Sequence, residues 1–167
     1  PTLADGSTLK VINEYDGYDR LKKVTNEKVP VSGTQTILSY YYYEHDRNGN
    51  ITYMVSETSG IGKKRFSYKY DKVNRLIEID HLNSDTSQLI SSTIYKYDAR
   101  GNRLEMHNAD ALVLPDKDFV YNVFNQMTQA TKGNQVTQIN YGPDGLRAKK
   151  TVKTNGTVSN TIRYAYN

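Results

Sequence analysis

One short frame of residues recurs along this 167-residue chain and restricts the fold more than any other feature. Each copy opens on Tyr, or on His in one copy, and continues with Asp, Asn or Gly. The leading positions are 15, 45, 70, 97, 121, 141 and 166, so the spacings are 30, 25, 27, 24, 20 and 25 residues. A period this variable fits hairpins whose outer loops differ in length, and it does not fit helical repeats of fixed packing.

Two positions of the frame predict a tight turn. The second position can accept backbone N–H bonds across the turn, as in an Asx-turn. The fifth position predicts a positive φ, because Asp, Asn and Gly enter the left-handed region at the least cost. The fifth-position residues are Asp19, Gly49, Asn74, Gly101, Asn125 and Gly145. The predicted repeat-motif residues are Tyr15, Asp16, His45, Asp46, Gly49, Tyr70, Asp71, Tyr97, Asp98, Gly101, Tyr121, Asn122, Tyr141 and Gly145.

Strands are predicted on both sides of each turn. The segment 65–70 alternates, with Phe66, Tyr68 and Tyr70 on one face and polar residues on the other. Polar tips such as Asn155-Gly156 end the outgoing strands, and no segment carries a helical stripe. Six to seven hairpins give about twelve to fourteen strands, more than an open sheet usually holds flat. The predicted fold class is all-β, an antiparallel hairpin meander that forms a curved sheet.

Composition adds a prediction about the core. The length is enough for one domain with a real core. Only 37% of residues are hydrophobic, yet 15 are Tyr, so much of the buried surface must come from phenol rings whose hydroxyls need partners. We predict a single repeat array over residues 1–167, truncated at both ends from a longer chain, because the sequence opens without Met and closes inside a copy of the frame.

Several function classes find no support in the sequence. The absence of Cys excludes a disulfide framework, a thiolate nucleophile and a Cys-ligated metal. The three His lack ligand spacing, each turn offers one carboxylate where calcium needs several, and no nucleophile elbow occurs. The net charge of +4 comes without a long basic run or an apolar span. We therefore expect no enzyme activity, no cofactor or metal, no nucleic-acid partner and no membrane span.

The fullest copy of the frame runs from Tyr97 to Leu104 as Tyr-Asp-Ala-Arg-Gly-Asn-Arg-Leu. It resembles the YD repeat, or RHS repeat, of bacterial RHS and wall-associated proteins, insecticidal toxin complexes and teneurins. The resemblance covers residues 15–167, and His45, Asn122 and Gly142 depart from it. It implies a β-spiral that closes into a hollow shell around a C-terminal toxin or effector domain. The family's self-cleaving core is not recognisable in this sequence.

Two functions from different classes follow. In the first, the segment is a non-catalytic wall of an RHS-like shell in a secreted or cell-wall-associated bacterial protein, whose partners are neighbouring repeats and an enclosed cargo. In the second, the repeats form an adhesion module that binds a wall polymer or glycan. The predicted stacking residues are then Tyr40 and Tyr42, which alternation places opposite the repeat rings. Unpaired strands at the edges of the sheet also predict edge-to-edge self-association.

Overall fold

The computed structural model describes residues 1–109 and 117–166, which contain thirteen β-strands. Asn167, the second residue of the incomplete seventh copy, lies outside the described residues. The strands are β1 (Thr8–Tyr15), β2 (Leu21–Val29), β3 (Thr36–His45), β4 (Ile51–Thr58), β5 (Gly62–Tyr70), β6 (Leu76–Leu82), β7 (Leu89–Tyr97), β8 (Arg103–Asn108), β9 (Lys117–Tyr121), β10 (Met127–Lys132), β11 (Gln135–Tyr141), β12 (Arg147–Thr154) and β13 (Thr157–Arg163).

The first compact unit, Pro1–Ser92, contains β1 to β6 and the start of β7. Each of β1 to β5 pairs antiparallel with the next strand along the chain. The predicted repeat turns join β1 to β2, β3 to β4 and β5 to β6. The predicted polar tip around Gly60 joins β4 to β5 at the other end of those strands.

The second compact unit, Thr93–Asn167, contains the rest of β7 and β8 to β13, again paired antiparallel in chain order. Repeat turns join β7 to β8, β9 to β10 and β11 to β12. Every residue of β13 is exposed. The all-β antiparallel meander is confirmed, whereas the single array over 1–167 and edge-to-edge self-association stay predictions.

A β-bulge accompanies every repeat turn. The leading residue pairs with the residue six positions later. The residue before it pairs with the residue that stands eight positions after the leading residue. In the third copy Tyr70 pairs with Leu76 and Lys69 with Glu78, which leaves Ile77 as the extra residue. A bulge increases the local strand twist, so each copy adds twist at the same place.

The predicted alternation places the repeat aromatic residues of the first unit, such as Tyr43 and Phe66, on one face, here called the ring face. Tyr43 pairs with Met54 on this face, whereas Tyr42 pairs with Val55 on the opposite face. The Phe66 ring stacks on His81, which pairs with it across β5 and β6, at 5.1 Å between centroids. The ring face is therefore a continuous stripe of cross-strand aromatic and aliphatic contacts.

The opposite face of the first unit is held by charges. Lys69 lies 3.0 Å from Glu78 and 3.4 Å from Asp80. Asp80 also accepts hydrogen bonds from the hydroxyls of Ser67 and Ser92. Burial would raise the pKa of Asp80, but these hydrogen bonds and Lys69 outweigh it, so the pKa is lowered and the carboxylate stays ionised.

The prediction of a real core is wrong. Among the described residues, the only apolar side chains that count as buried are Val55 and Ile139. Each unit is one sheet, and no second layer of the described residues packs on it, so most rings remain half-buried. Stability therefore depends on strand pairing and on links between neighbouring copies more than on a packed interior.

Tyrosine hydroxyls provide one set of these links. Tyr70 donates to the carbonyl of Ile51 at 2.8 Å, Tyr141 to that of Met127 at 3.0 Å, and Tyr166 to that of Arg147 at 3.0 Å. Each acceptor stands six positions after the leading residue of the preceding copy. In these three copies the leading Tyr thus links its own copy to the one before it, and its hydroxyl has the partner that it was predicted to need.

We expect the variants Tyr70→Phe and Tyr141→Phe each to lower the free energy of unfolding by about 1 kcal/mol, because each loses one half-buried hydrogen bond and keeps its ring. Urea unfolding followed by circular dichroism measures the change. Tyr18→Phe is the matched control, since the Tyr18 ring is 82% exposed and should tolerate loss of its hydroxyl. Equal effects at Tyr18 and Tyr70 would contradict the role of the link.

Candidate functional site

The repeat turn is the most regular feature of the chain, and the second copy shows its backbone. The Asp46 N–H donates to the Asn50 carbonyl at 2.9 Å, and the Gly49 N–H donates to the Asp46 carbonyl at 3.2 Å. Three residues lie between Asp46 and Asn50, and the last of them, Gly49, has a φ of 87°. This is the pattern of a three-residue hairpin loop that ends on a left-handed residue.

The second-position side chain closes the loop from inside. Oδ1 of Asp46 accepts the N–H groups of Asn48 and Asn50, both at 2.9 Å, while Oδ2 accepts Nδ2 of Asn50 at 2.9 Å. One carboxylate therefore satisfies two backbone donors and orients the sixth-position side chain. The same Oδ1 contacts to two backbone N–H groups occur at Asp16, Asp71 and Asp98.

In five of the six complete copies, the sixth residue of the frame is either a cation or an amide. Arg20 lies 2.7 Å from Asp16, and Arg75 lies 2.6 Å from Asp71. Hydrogen bonding from Arg20 lowers the pKa of Asp16 to about 2. In the second copy the Asn50 amide is the main cause that lowers the pKa of Asp46. All of these carboxylates are thus held ionised by their own turns.

In the fifth and sixth copies, other side-chain atoms accept the backbone N–H groups of the turn. Asn122 accepts the N–H groups of Phe124 and Gln126 on Oδ1, and its Nδ2 donates to Oε1 of Gln126. The sixth copy has Gly142 at the second position, and there the Asp144 carboxylate accepts the Leu146 N–H at 3.0 Å. A Cβ on Gly142 would lie 2.7 Å from Oδ1 of Asp144, so the displaced carboxylate occupies the vacated space.

The predicted positive φ is present at the fifth position of all six complete copies. The values are 59° at Asp19, 87° at Gly49, 62° at Asn74, 90° at Gly101, 60° at Asn125 and 79° at Gly145. Non-glycine residues tolerate this region at some cost, and Asp and Asn are among the cheapest. The backbone conformation that the frame predicts is therefore common to every copy.

Within each unit, side chains join each turn to the next. In the first unit Arg20 donates to the Asp46 carbonyl at 2.6 Å, and Asn50 donates to Oδ1 of Asn74 at 2.8 Å. In the second unit Asn102 donates to Oδ1 of Asn125 at 3.0 Å, and Gln126 donates to the Gly145 carbonyl at 3.1 Å. In these four contacts the donor is the sixth residue of its copy. We call this series of contacts the turn ladder.

Tyr40 and Tyr42 lie on the predicted face and are half-buried. The Tyr42 hydroxyl donates to Oε1 of Glu44 at 3.3 Å. Hydrogen bonds from Lys63 and then from Tyr40 lower the pKa of Glu57. Both hydroxyls thus lie beside carboxylates of their own sheet. Glycan stacking by this pair stays a prediction.

Within residues 1–109 and 117–166, no three His, Cys, Asp or Glu side chains come together in a way that could hold a metal ion. His45 leads the second copy, His81 stacks on Phe66, and His107 lies in β8. The same residues include no helix long and apolar enough to cross a membrane. The polar groups of the turns are mostly hydrogen-bonded to one another.

No protein-family model matches this sequence, and no curated protein matches it. Solved structures do share its fold. A crystal structure of TcdB2-TccC3-Cdc42 has a TM-score of 0.68 at 16% identity, over 95% of this chain and 9% of that chain. The Photorhabdus luminescens Tc holotoxin pore, with a mutated TccC3, has a TM-score of 0.69 at 16% identity, over 97% of this chain and 9% of that chain.

This chain is similar in fold to a segment of these Tc toxin proteins. A third structure, TcdB2-TccC3 without its hypervariable C-terminal region, has a TM-score of 0.66 at 16% identity over 95% of the chain. The chain spans 9% of the length of each of the three. A structural similarity at this low identity shows a common fold alone, so the function has to be argued from the residues.

Sequence reasoning missed three elements of the repeat. The sixth position was not singled out, although it is Arg, Asn or Gln in five copies and carries the turn ladder. The acceptor of each Tyr hydroxyl was not identified, and neither was the bulge. The sixth position could have been found from the sequence, because side chains that donate hydrogen bonds recur there. The other two could not, because backbone carbonyls and pairing shifts leave no residue pattern.

We expect Gly101→Val to lower the free energy of unfolding by about 1–2 kcal/mol, because a β-branched residue is strained at a φ of 90°. No atom outside the neighbouring residues lies within 4 Å of the added Cβ, so the loss reports backbone strain alone. Gly17→Val is the control, since Gly17 is also open but has no positive φ. Urea unfolding compares the two, and a neutral Gly101→Val would refute the left-handed requirement.

The turn carboxylates predict acid sensitivity. Their pKa values are lowered in the folded chain, for Asp16 from 3.8 to about 2, so their stabilisation is present above pH 3.8 and is lost as the pH falls towards 2. The urea midpoint should therefore drop over this interval. Asp46→Asn keeps the Oδ1 acceptor, as Asn122 does, but cannot be protonated. Its midpoint should fall less with acid than that of the unmodified chain, and an identical profile would contradict the assignment.

Proposed function

We propose that this chain is a wall segment of an RHS-like shell, a non-catalytic scaffold that encloses a C-terminal toxin or effector domain. The proposal makes the curved β-spiral the working form of the repeats. The partners are then the neighbouring repeats of the same polypeptide and the enclosed cargo. A secreted or cell-wall-associated bacterial protein is the setting that suits such a shell.

The turn ladder is the observation that carries the proposal. Within each unit, successive copies are joined by strand pairing, and sixth-position side chains such as Asn50 and Gln126 extend the contact along the sheet. A sheet linked in this way can be lengthened by adding copies, because the contacts between copies do not limit their number. Such growth suits a wall, and the fold similarity to segments of much longer Tc toxin chains supports it.

The chemistry of the turns also favours a scaffold over an enzyme. Asp16 and Asp71 are neutralised by Arg20 and Arg75, and the Asp46 carboxylate is filled by donors of its own turn. A catalytic carboxylate or base needs a free position within reach of a substrate. Groups that recur every 20 to 30 residues and bind each other supply rigidity instead.

The test is co-purification from the full-length parent protein. We expect a C-terminal fragment that stays with the repeats under native conditions, resists added protease, and separates only in denaturant. Mass spectrometry locates the cleavage point after the repeats. An uncleaved parent whose downstream region is digested as fast as a free domain would overturn the proposal and favour the adhesion module.

A matched pair of variants ties protection to the wall. Gly101→Val in the parent should speed digestion of the enclosed fragment, because it strains one turn of the ladder. Gly17→Val should leave the digestion rate unchanged, since that position needs no left-handed backbone. Equal protection in both variants would show that residues 1–167 do not form the barrier.

A further inference from the structure

The second copy lacks the hydroxyl link that leading Tyr residues make. Tyr70, Tyr141 and Tyr166 each reach the carbonyl six positions into the preceding copy, at 2.8 to 3.0 Å. His45 occupies this leading position, and the matching carbonyl belongs to Leu21. An imidazole is shorter than a phenol and has no hydroxyl at that reach. The substitution therefore removes bulk and a fastening between the first two copies.

A cleft with a volume of about 690 Å³ lies at this point, wholly inside the first unit. This size is in the range of small-molecule sites. It is formed by the turns of the first and second copies, and its lining residues are Tyr18, Arg20, His45, Asp46, Arg47, Asn48 and Gly49. The turns of the fifth and sixth copies line a similar cleft of about 640 Å³ beside Tyr141, so the first-unit cleft is distinguished by its lining of His45 and two Arg residues.

One wall of the cleft is a fixed aromatic platform. The Tyr18 ring is 82% exposed, and the Arg20 guanidinium lies 5.1 Å from its centroid. Arg20 is itself held by Asp16 at 2.7 Å and by the Asp46 carbonyl at 2.6 Å. The ring is therefore supported from one side by an immobilised cation, which leaves exposed ring surface for stacking with a ligand.

The lining carries two cations, Arg20 and Arg47, and one ionised carboxylate, Asp46. The Arg20 charge is balanced by Asp16, and both carboxylate oxygens of Asp46 already accept hydrogen bonds from its own turn. Arg47 is exposed and has no ion-pair partner among residues 1–109 and 117–166. A guanidinium binds one carboxylate in a bidentate manner. The His45 ring adds a donor or acceptor beside it.

We propose that this cleft binds a ring that carries one carboxylate group. The ring stacks on Tyr18, the carboxylate pairs with Arg47, and His45 contributes a hydrogen bond. An aromatic acid and the uronic acid of a polysaccharide share this chemistry. The site does not depend on the shell function, because the cleft is complete within the first unit of this chain.

The test is an NMR titration of the ¹⁵N-labelled 167-residue chain with sodium benzoate and, separately, with sodium glucuronate. Saturable shifts of the Tyr18 to Arg20 and His45 to Gly49 amides with at least one probe support the proposal, and the probe that binds identifies the ring type. Sodium acetate and benzyl alcohol carry the charge and the ring alone, and each should bind at least tenfold more weakly. No saturable shift with either acid would overturn the proposal.

Two variants establish that the cleft is the site. His45→Tyr restores the residue of the other copies and removes the imidazole that contributes a hydrogen bond, so it should weaken binding at least tenfold while the chain stays folded. Arg47→Gln should weaken binding to a similar extent, whereas Lys72→Gln, at the same frame position of the third copy, should not. Unchanged affinity in Arg47→Gln, or an equal loss in Lys72→Gln, would overturn the assignment even if His45→Tyr fails to fold.

Discussion

A short polar side chain that caps its own turn is the interaction on which the rest of this structure depends. Oδ1 of Asp46 binds two backbone N–H groups at once, which fixes the loop and the direction in which the next strand leaves. Strand register, the bulge and the position of the leading Tyr follow from that direction. A three-residue loop without the cap would leave two donors unpaired at the point of tightest curvature.

The cap is defined by its geometry more than by its residue type. The backbone N–H of the sixth residue is accepted by the carboxylate of Asp98 in one copy and by the amide oxygen of Asn122 in another. In the sixth copy it is accepted by the carboxylate of Asp144, two positions later in the frame. The sixth position is similarly permissive, since Arg, Asn and Gln each reach the adjacent turn. Divergence to 16% identity from structures of the same fold is the expected result of such interchangeable solutions.

The sequence was sufficient for the strands, the turns and the left-handed positions, because these are local and repeat. It failed at the core, since the 15 Tyr suggested an interior and the rings instead lie half-buried on single sheets. Period-two alternation assigned Tyr40 and Tyr42 to a face, but it gives no information on how crowded that face is. The cleft at His45 could not be foreseen, as it depends on how two turns 30 residues apart meet.

Links confined to consecutive copies have a mechanical consequence. In a meander of antiparallel strands, tension on a chain end loads the hydrogen bonds of the last hairpin one after another, as in a zipper, and leaves distant hairpins unstressed. The hydroxyl of Tyr166 and the pairing of β13 would yield before anything nearer the centre of the second unit. A protein built this way resists broad pressure across its sheet yet peels from a terminus at low force, in steps of roughly one hairpin.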